Sequence, residues 1–158
     1  MSHVPFRWFA LAGAIIIADF ATKAWVLAVF RPYESIAVTS FFNLVLVFNT
    51  GAAFSFLANA GGWQKWFFIL LALGISGWLM VMIRQHADER LAPAAFALVL
   101  GGALGNVIDR IRFGMVVDFL DFHAAGWHWP AFNVADSAIT VGVALLLWHS
   151  FTHKEQHD

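Results

Sequence analysis

Two aspartates carry the chemistry that this sequence is best equipped to perform. Asp118 lies in Val116-Val117-Asp118-Phe119, shortly after an apolar stretch, and Asp136 lies in Asn133-Val134-Ala135-Asp136-Ser137, at the start of the next one. A loop between two successive membrane spans returns both carboxyls to the same membrane face. Two carboxyls a few ångströms apart cannot both ionise easily, so one proton affinity rises, the other falls, and the pair holds one shared proton. The ionised member can take a proton from water as it attacks a carbonyl carbon, while the protonated member donates to the carbonyl oxygen. No covalent intermediate is needed. The same two residues are also accounted for as solvated loop charges or helix caps, and Asp136 stands where a cap would.

Further ionisable and polar residues fall inside or beside apolar stretches, where each costs about 2.5–3.5 kcal/mol on insertion scales unless it has a partner or a wet cavity. Asp19 and Lys23 stand four apart, on one face of a helix, where they can pair. In the run Gly101 to Arg110, Gly101 and Gly105 are spaced to admit a neighbouring helix, and Asn106, Asp109 and Arg110 cluster at its end. Close packing explains the glycines but not that cluster. Rival chemistries find less support. His153 and His157 flank Glu155 in a polar tail without the His-Glu-x-x-His pattern, so no metal and no cofactor is expected. His123 and His128 suit a lipid–water boundary, with His123 near Asp118 in sequence. Gly74-Ile75-Ser76-Gly77 resembles the Gly-x-Ser-Gly of rhomboid serine proteases, but the one span histidine, His149, falls near the opposite membrane face. A Gly-x-x-Gly packing seam explains that motif better.

The elements that must position these groups follow from composition. Of 158 residues 61% are hydrophobic and only 12% charged, far from a soluble mixture. Four apolar stretches, 8–30, 63–83, 91–108 and 134–151, approach or exceed the length that crosses a bilayer as a helix. The reading is therefore an all-α membrane bundle of four transmembrane helices, one integral membrane domain over 1–158. The first stretch is too long and too polar at Asp19 and Lys23 for a cleaved signal peptide. Both termini fall on one side and the two long connections share the other face. The short charged tract Arg84 to Arg90 favours cytoplasmic termini. Ser35 to Phe48, followed by Asn49-Thr50-Gly51, predicts a small β-rich region at the membrane surface. Arg112 to Asn133, with Met115, Phe119, Phe122, Trp127 and Trp129, predicts an amphipathic segment lying in the interface. A net charge of −1 without a basic run excludes a nucleic-acid partner. The absence of cysteine excludes disulfides and thiol chemistry.

Five motifs, Asp19 to Lys23, Phe48 to Ser55, Gly101 to Arg110, Val116 to Phe119 and Phe132 to Ser137, together resemble the successive motifs of lipoprotein signal peptidase, or signal peptidase II. They run in the family's order over nearly the whole chain. The resemblance implies an aspartic endopeptidase of the bacterial inner membrane, working at the periplasmic face on a diacylglyceryl-modified prelipoprotein and cutting just before its lipidated cysteine. It implies Asp118 and Asp136 as the catalytic dyad. Asn49, Gly51, Asn106, Arg110 and Asn133 would line or brace the substrate site, with Asp19, Lys23 and Asp109 in support. Its expected partners are that substrate, membrane lipid and globomycin-type inhibitors. A non-catalytic membrane assembly or lipid-binding subunit would account for the spans and packing glycines, but not for two convergent acids.

Overall fold

The computed structural model of the protein describes residues 5–51, 56–57 and 59–154. Four helices dominate it: α1 (Phe6–Val29), α2 (Gln64–Gln85), α3 (Leu91–Phe113) and α4 (Val134–Lys154). All four are long and apolar enough to cross a membrane. Their interiors are free of proline apart from Pro93, which sits in the first turn of α3, where its missing N–H has no intrahelical role. At the other end α3 runs through Arg110 to Phe113 before Gly114 closes it in the left-handed region, its N–H bonded to the Arg110 carbonyl. Asp109 and Arg110 are therefore helical residues one turn inside α3.

Helix α3 is the buried centre of the bundle, while α1, α2 and α4 leave most of their apolar length exposed. Ile17, Trp25, Leu70, Trp78, Leu147 and Trp148 are among the exposed side chains, as a lipid-facing surface requires. Small residues let the neighbours reach α3. A Cβ added at Gly101 would stand 2.7 Å from the Ala12 carbonyl of α1, and one at Gly102 would collide with the Ala135 carbonyl of α4. By contrast nothing lies within 4 Å of a Cβ on Gly74 or Gly77. The Gly74-x-x-Gly77 packing seam expected from the sequence is therefore not formed, because that face of α2 meets no other helix there. Ser76 is buried, and its hydroxyl has no hydrogen-bond partner among the described residues, so no base activates it.

The first and third connections meet in one antiparallel sheet, ordered β1 (Ser35–Ala37), β2 (Phe42–Asn49), β3 (Val116–Ala124), β4 (Trp127–His128). The first pair is the sheet expected from the β-branched run before Asn49. Strand β3 extends it: the third connection forms a hairpin rather than one continuous segment. Leu44 pairs with Leu120 but Val47 with Asp118, so β2 holds one extra residue opposite β3. That bulge bends the strand beside Asp118, a common device next to functional groups. Val26 of α1 and Phe30, just past its end, pack with Leu46, Val117 and Phe119, fastening the sheet to one end of the bundle. At the other end Arg7 and Trp8 donate to the Ala87 carbonyl in the α2–α3 turn.

The close approach at Gly102 makes a specific prediction. Gly102→Val must push α4 away from α3 and lowers the melting temperature in detergent, with an overpacking cost of about 1–3 kcal/mol or more. Gly74→Val, on the open face of α2, leaves it near the wild-type value. Equal melts for the two variants would contradict the packing.

Candidate active site

Asp118 and Asp136 are brought together by the start of α4. Asn133 is wholly buried, and its side chain touches both acids: Nδ2 donates to Asp118 Oδ1 at 2.8 Å, and Oδ1 accepts the Asp136 backbone N–H at 2.8 Å. The second contact makes Asn133, not Asp136, the residue that caps α4. The sequence placed the cap three residues late; Asp136 is thereby released to point its carboxyl at α3. There Asp136 Oδ1 accepts from Asn106 Nδ2 at 2.8 Å. Because a backbone N–H can only donate, it fixes which end of the Asn133 amide faces Asp136 and turns the NH2 toward Asp118.

The strand side completes the site. Asn49 lies diagonally across β2–β3 from Asp118, and its side chain hydrogen-bonds that carboxyl. Asn49 Oδ1 also accepts the Gly51 N–H at 2.9 Å, forming the turn that follows β2. Arg110 is buried, donates from Nη2 to the Gly51 carbonyl at 2.9 Å and stacks 5.0 Å from the Phe68 ring centre. Its Nε has no hydrogen-bond partner among the described residues. Ala52 to Ser55, the remainder of the motif after Gly51, lie outside the described residues, as do Glu155, His157 and the side chain of His153.

Beneath the acids lies a buried ion cluster. Lys23 Nζ stands 2.7 Å from Asp19 Oδ2 and 2.8 Å from Asp109 Oδ2, and donates to Asn106 Oδ1 at 3.1 Å. The Asp19–Lys23 pair expected from the four-residue spacing is present, but it is one arm of a triad. Asp109 pairs with Lys23 rather than with its neighbour Arg110. Asp109 Oδ2 also accepts the Val117 N–H at 3.0 Å, and Asp19 Oδ1 accepts the Ala135 N–H at 2.8 Å. A Cβ at Gly105 would stand 2.8 Å from Asp19 Oδ2, so only glycine leaves room for this carboxylate between the helices.

Asp118 is 3% exposed. Its burial pushes the carboxyl up to about 8, and the neighbouring Asp136 carboxyl adds to the rise against the opposing pull of Lys23, Asn49 and Asn133. A carboxyl of this kind keeps its proton at neutral pH and can act as an acid. Two acids so joined, one deeply buried and one half-buried, match the arrangement that water-mediated amide hydrolysis requires.

The sequence profile of signal peptidase II matches residues 11–152. The chain belongs to the signal peptidase II family. Lipoprotein signal peptidase from Azoarcus sp. (strain BH72) is 61% identical over 141 residues, spanning 89% of this chain and 80% of the relative. That of Cupriavidus necator is 49% identical over 99% of this chain and 89% of its own. A bacterial membrane enzyme solved by the in meso method at 2.3 Å superposes with a TM-score of 0.87 at 30% identity, covering 96% of this chain and 92% of the other. As a signal peptidase II the protein is an aspartic protease, which removes the non-catalytic subunit as a reading.

One further polar group in the sheet escaped the sequence reading. Asp121 is buried and faces away from Asp118, bonded to Asn43 at 2.9 Å and to His128 at 2.9 Å, and His123 stacks on His128. The two histidines thus serve the hairpin and not the acid pair. Only the strand alternation of Asp118 and Asp121 could have signalled that these two acids point to opposite faces.

The raised value at Asp118 links stability to pH. The native group titrates near 8 and the unfolded one near 3.8, so between these values the native chain binds the extra proton. Its stabilising effect is full below the unfolded value and is lost as pH rises toward the native one. The melting temperature of wild type in detergent therefore falls more steeply than that of Asp118→Asn between about pH 5 and about pH 8. Parallel curves would contradict the assignment.

Proposed function

We propose that this signal peptidase II removes the signal peptide from prelipoproteins whose cysteine already carries a diacylglyceryl group, cutting just before that cysteine with Asp118 and Asp136 as the catalytic dyad. The observation that carries the reading is the Asn133 side chain tying the Asp118 carboxyl to the backbone of Asp136, whose own carboxyl Asn106 holds, at one end of a bundle of four apolar helices. Asp136, the less buried acid, takes the proton from the attacking water, and Asp118, holding its proton at neutral pH, donates to the scissile carbonyl oxygen. The roles then exchange as the amine departs. Asn106 and Asn133 hold the acids, whereas Asn49, Gly51 and Arg110 face the substrate, with Arg110 Nε as a donor for a peptide carbonyl.

The whole chain acts as one integral membrane domain of the bacterial inner membrane, with cytoplasmic termini and the sheet on the periplasmic side. Exposed Phe41, Phe122, Trp127 and Trp129, around a cavity of about 420 Å³, support an interfacial seat for the β3–β4 hairpin. A lipid-anchored substrate then arrives laterally, its acyl chains against the apolar helices at roughly 0.8 kcal/mol per buried methylene. Globomycin-type cyclic peptides occupy the same site.

The test is cleavage of a prelipoprotein with and without its diacylglyceryl group. Only the lipidated form is cut, turnover declines as pH rises through the Asp118 titration near 8, and Asp118→Asn and Asp136→Asn stay folded but lose at least about 100-fold in kcat. Normal turnover by either mutant would sink the dyad, and equal cleavage of the unlipidated form would sink the substrate assignment.

A further inference from the structure

Every polar arm of the buried triad ends next to a proposed catalytic acid. Lys23 has three N–H donors, and three acceptors surround it: Asp19, Asp109 and Asn106. Asp109 grips the N–H of Val117, immediately before Asp118, and Asp19 grips the N–H of Ala135, immediately before Asp136. The third arm reaches an acid through one side chain. An ammonium cannot accept a hydrogen bond, so the group that Asn106 turns toward Lys23 must be its carbonyl oxygen. Its NH2 is thereby left facing Asp136 Oδ1, at 2.8 Å. Were the amide reversed, an oxygen would confront the carboxylate and Asp136 would lose this donor.

A pin that only packed helices together would need one ion pair between α1 and α3. This one adds an amide and two backbone contacts, all converging on the residues that flank or hold the acids. We propose that Lys23 is a positioning residue for the hydrolysis: with the Asn133 NH2, which donates to the same Asn106 oxygen at 3.2 Å, it holds the Asn106 amide that faces Asp136 and, through Asp109 and Asp19, registers the backbones of both acids on one buried ammonium. The proposal rests on the dyad reading above.

Double-mutant kinetics on the lipidated prelipoprotein test it, with melts in detergent alongside. Asn106→Leu and Lys23→Met each lower kcat about 100-fold with KM within about threefold, the scale of one lost donor at a reacting charge. Because the Asn106 donor is one of the arms that Lys23 holds, the two losses overlap and the double mutant falls no more than about threefold below the slower single. Multiplied effects, or wild-type kcat in Asn106→Leu, would overturn the proposal. Should Lys23→Met not fold, Asp19→Asn with Lys23→Met and Asp109→Asn keeps an oxygen acceptor for both backbone N–H groups while leaving no buried charge unpaired. It is expected to melt like wild type and to show the same kcat loss; wild-type kcat would again overturn the proposal. Asp136→Asn run in parallel separates the two readings. If it still turns over, the dyad itself falls; if it is inactive while Asn106→Leu is normal, only the role of Lys23 falls.

Discussion

A single ammonium, that of Lys23, is buried between membrane-spanning helices together with two carboxylates, and the site depends on how that charge is satisfied. Desolvating such a cluster costs several kcal/mol per ion, and removing one partner from a buried pair typically costs about 3–5 kcal/mol. The bundle meets this demand by hydrogen-bonding the cluster on all sides. The carboxylates that neutralise Lys23 also take backbone N–H groups from β3 and α4. One electrostatic requirement thus ties α1, α3, the sheet and α4 to a common point, and the glycines of α3 permit the approach it needs.

Chemistry follows from what this anchoring leaves in place. Capping by Asn133 and an oriented Asn106 amide hold two acids without consuming them in ion pairs with each other's neighbours. Burial and the neighbouring Asp136 carboxyl favour the protonated form of the deeper acid, Asp118. The sheet, formed by two connections widely separated in sequence, brings Asn49 and Gly51 over the acids and leaves its aromatic edge exposed.

Much of this could be read from residues alone where the controlling interaction is local or compositional. Hydropathy gave four helices because a span must be apolar along its length, and Asp19 with Lys23 was visible as a same-face pair. The rest depends on contacts between distant segments. Nothing near Asp109 in the sequence points to Lys23, and its neighbour Arg110 was the more natural partner. Strand β3 sets each of its acids beside an aromatic, a pattern equally suited to an interfacial segment until β2 lies beside it. Asn106 and Asn133 were expected to line or brace the site because an amide near an acid serves either purpose; the identity of their donors, Lys23 and the Asp136 N–H, is what ties their amides to the two acids.

Infrared difference spectroscopy of the protein in lipid, titrated with base, tests most directly whether the bundle maintains one protonated acid beside one ionised acid. The account predicts a protonated-carboxyl stretch at neutral pH that disappears as pH passes about 8 and is missing from Asp118→Asn. A wild-type spectrum with no protonated carboxyl at neutral pH, or a band that survives unchanged in Asp118→Asn, would contradict it.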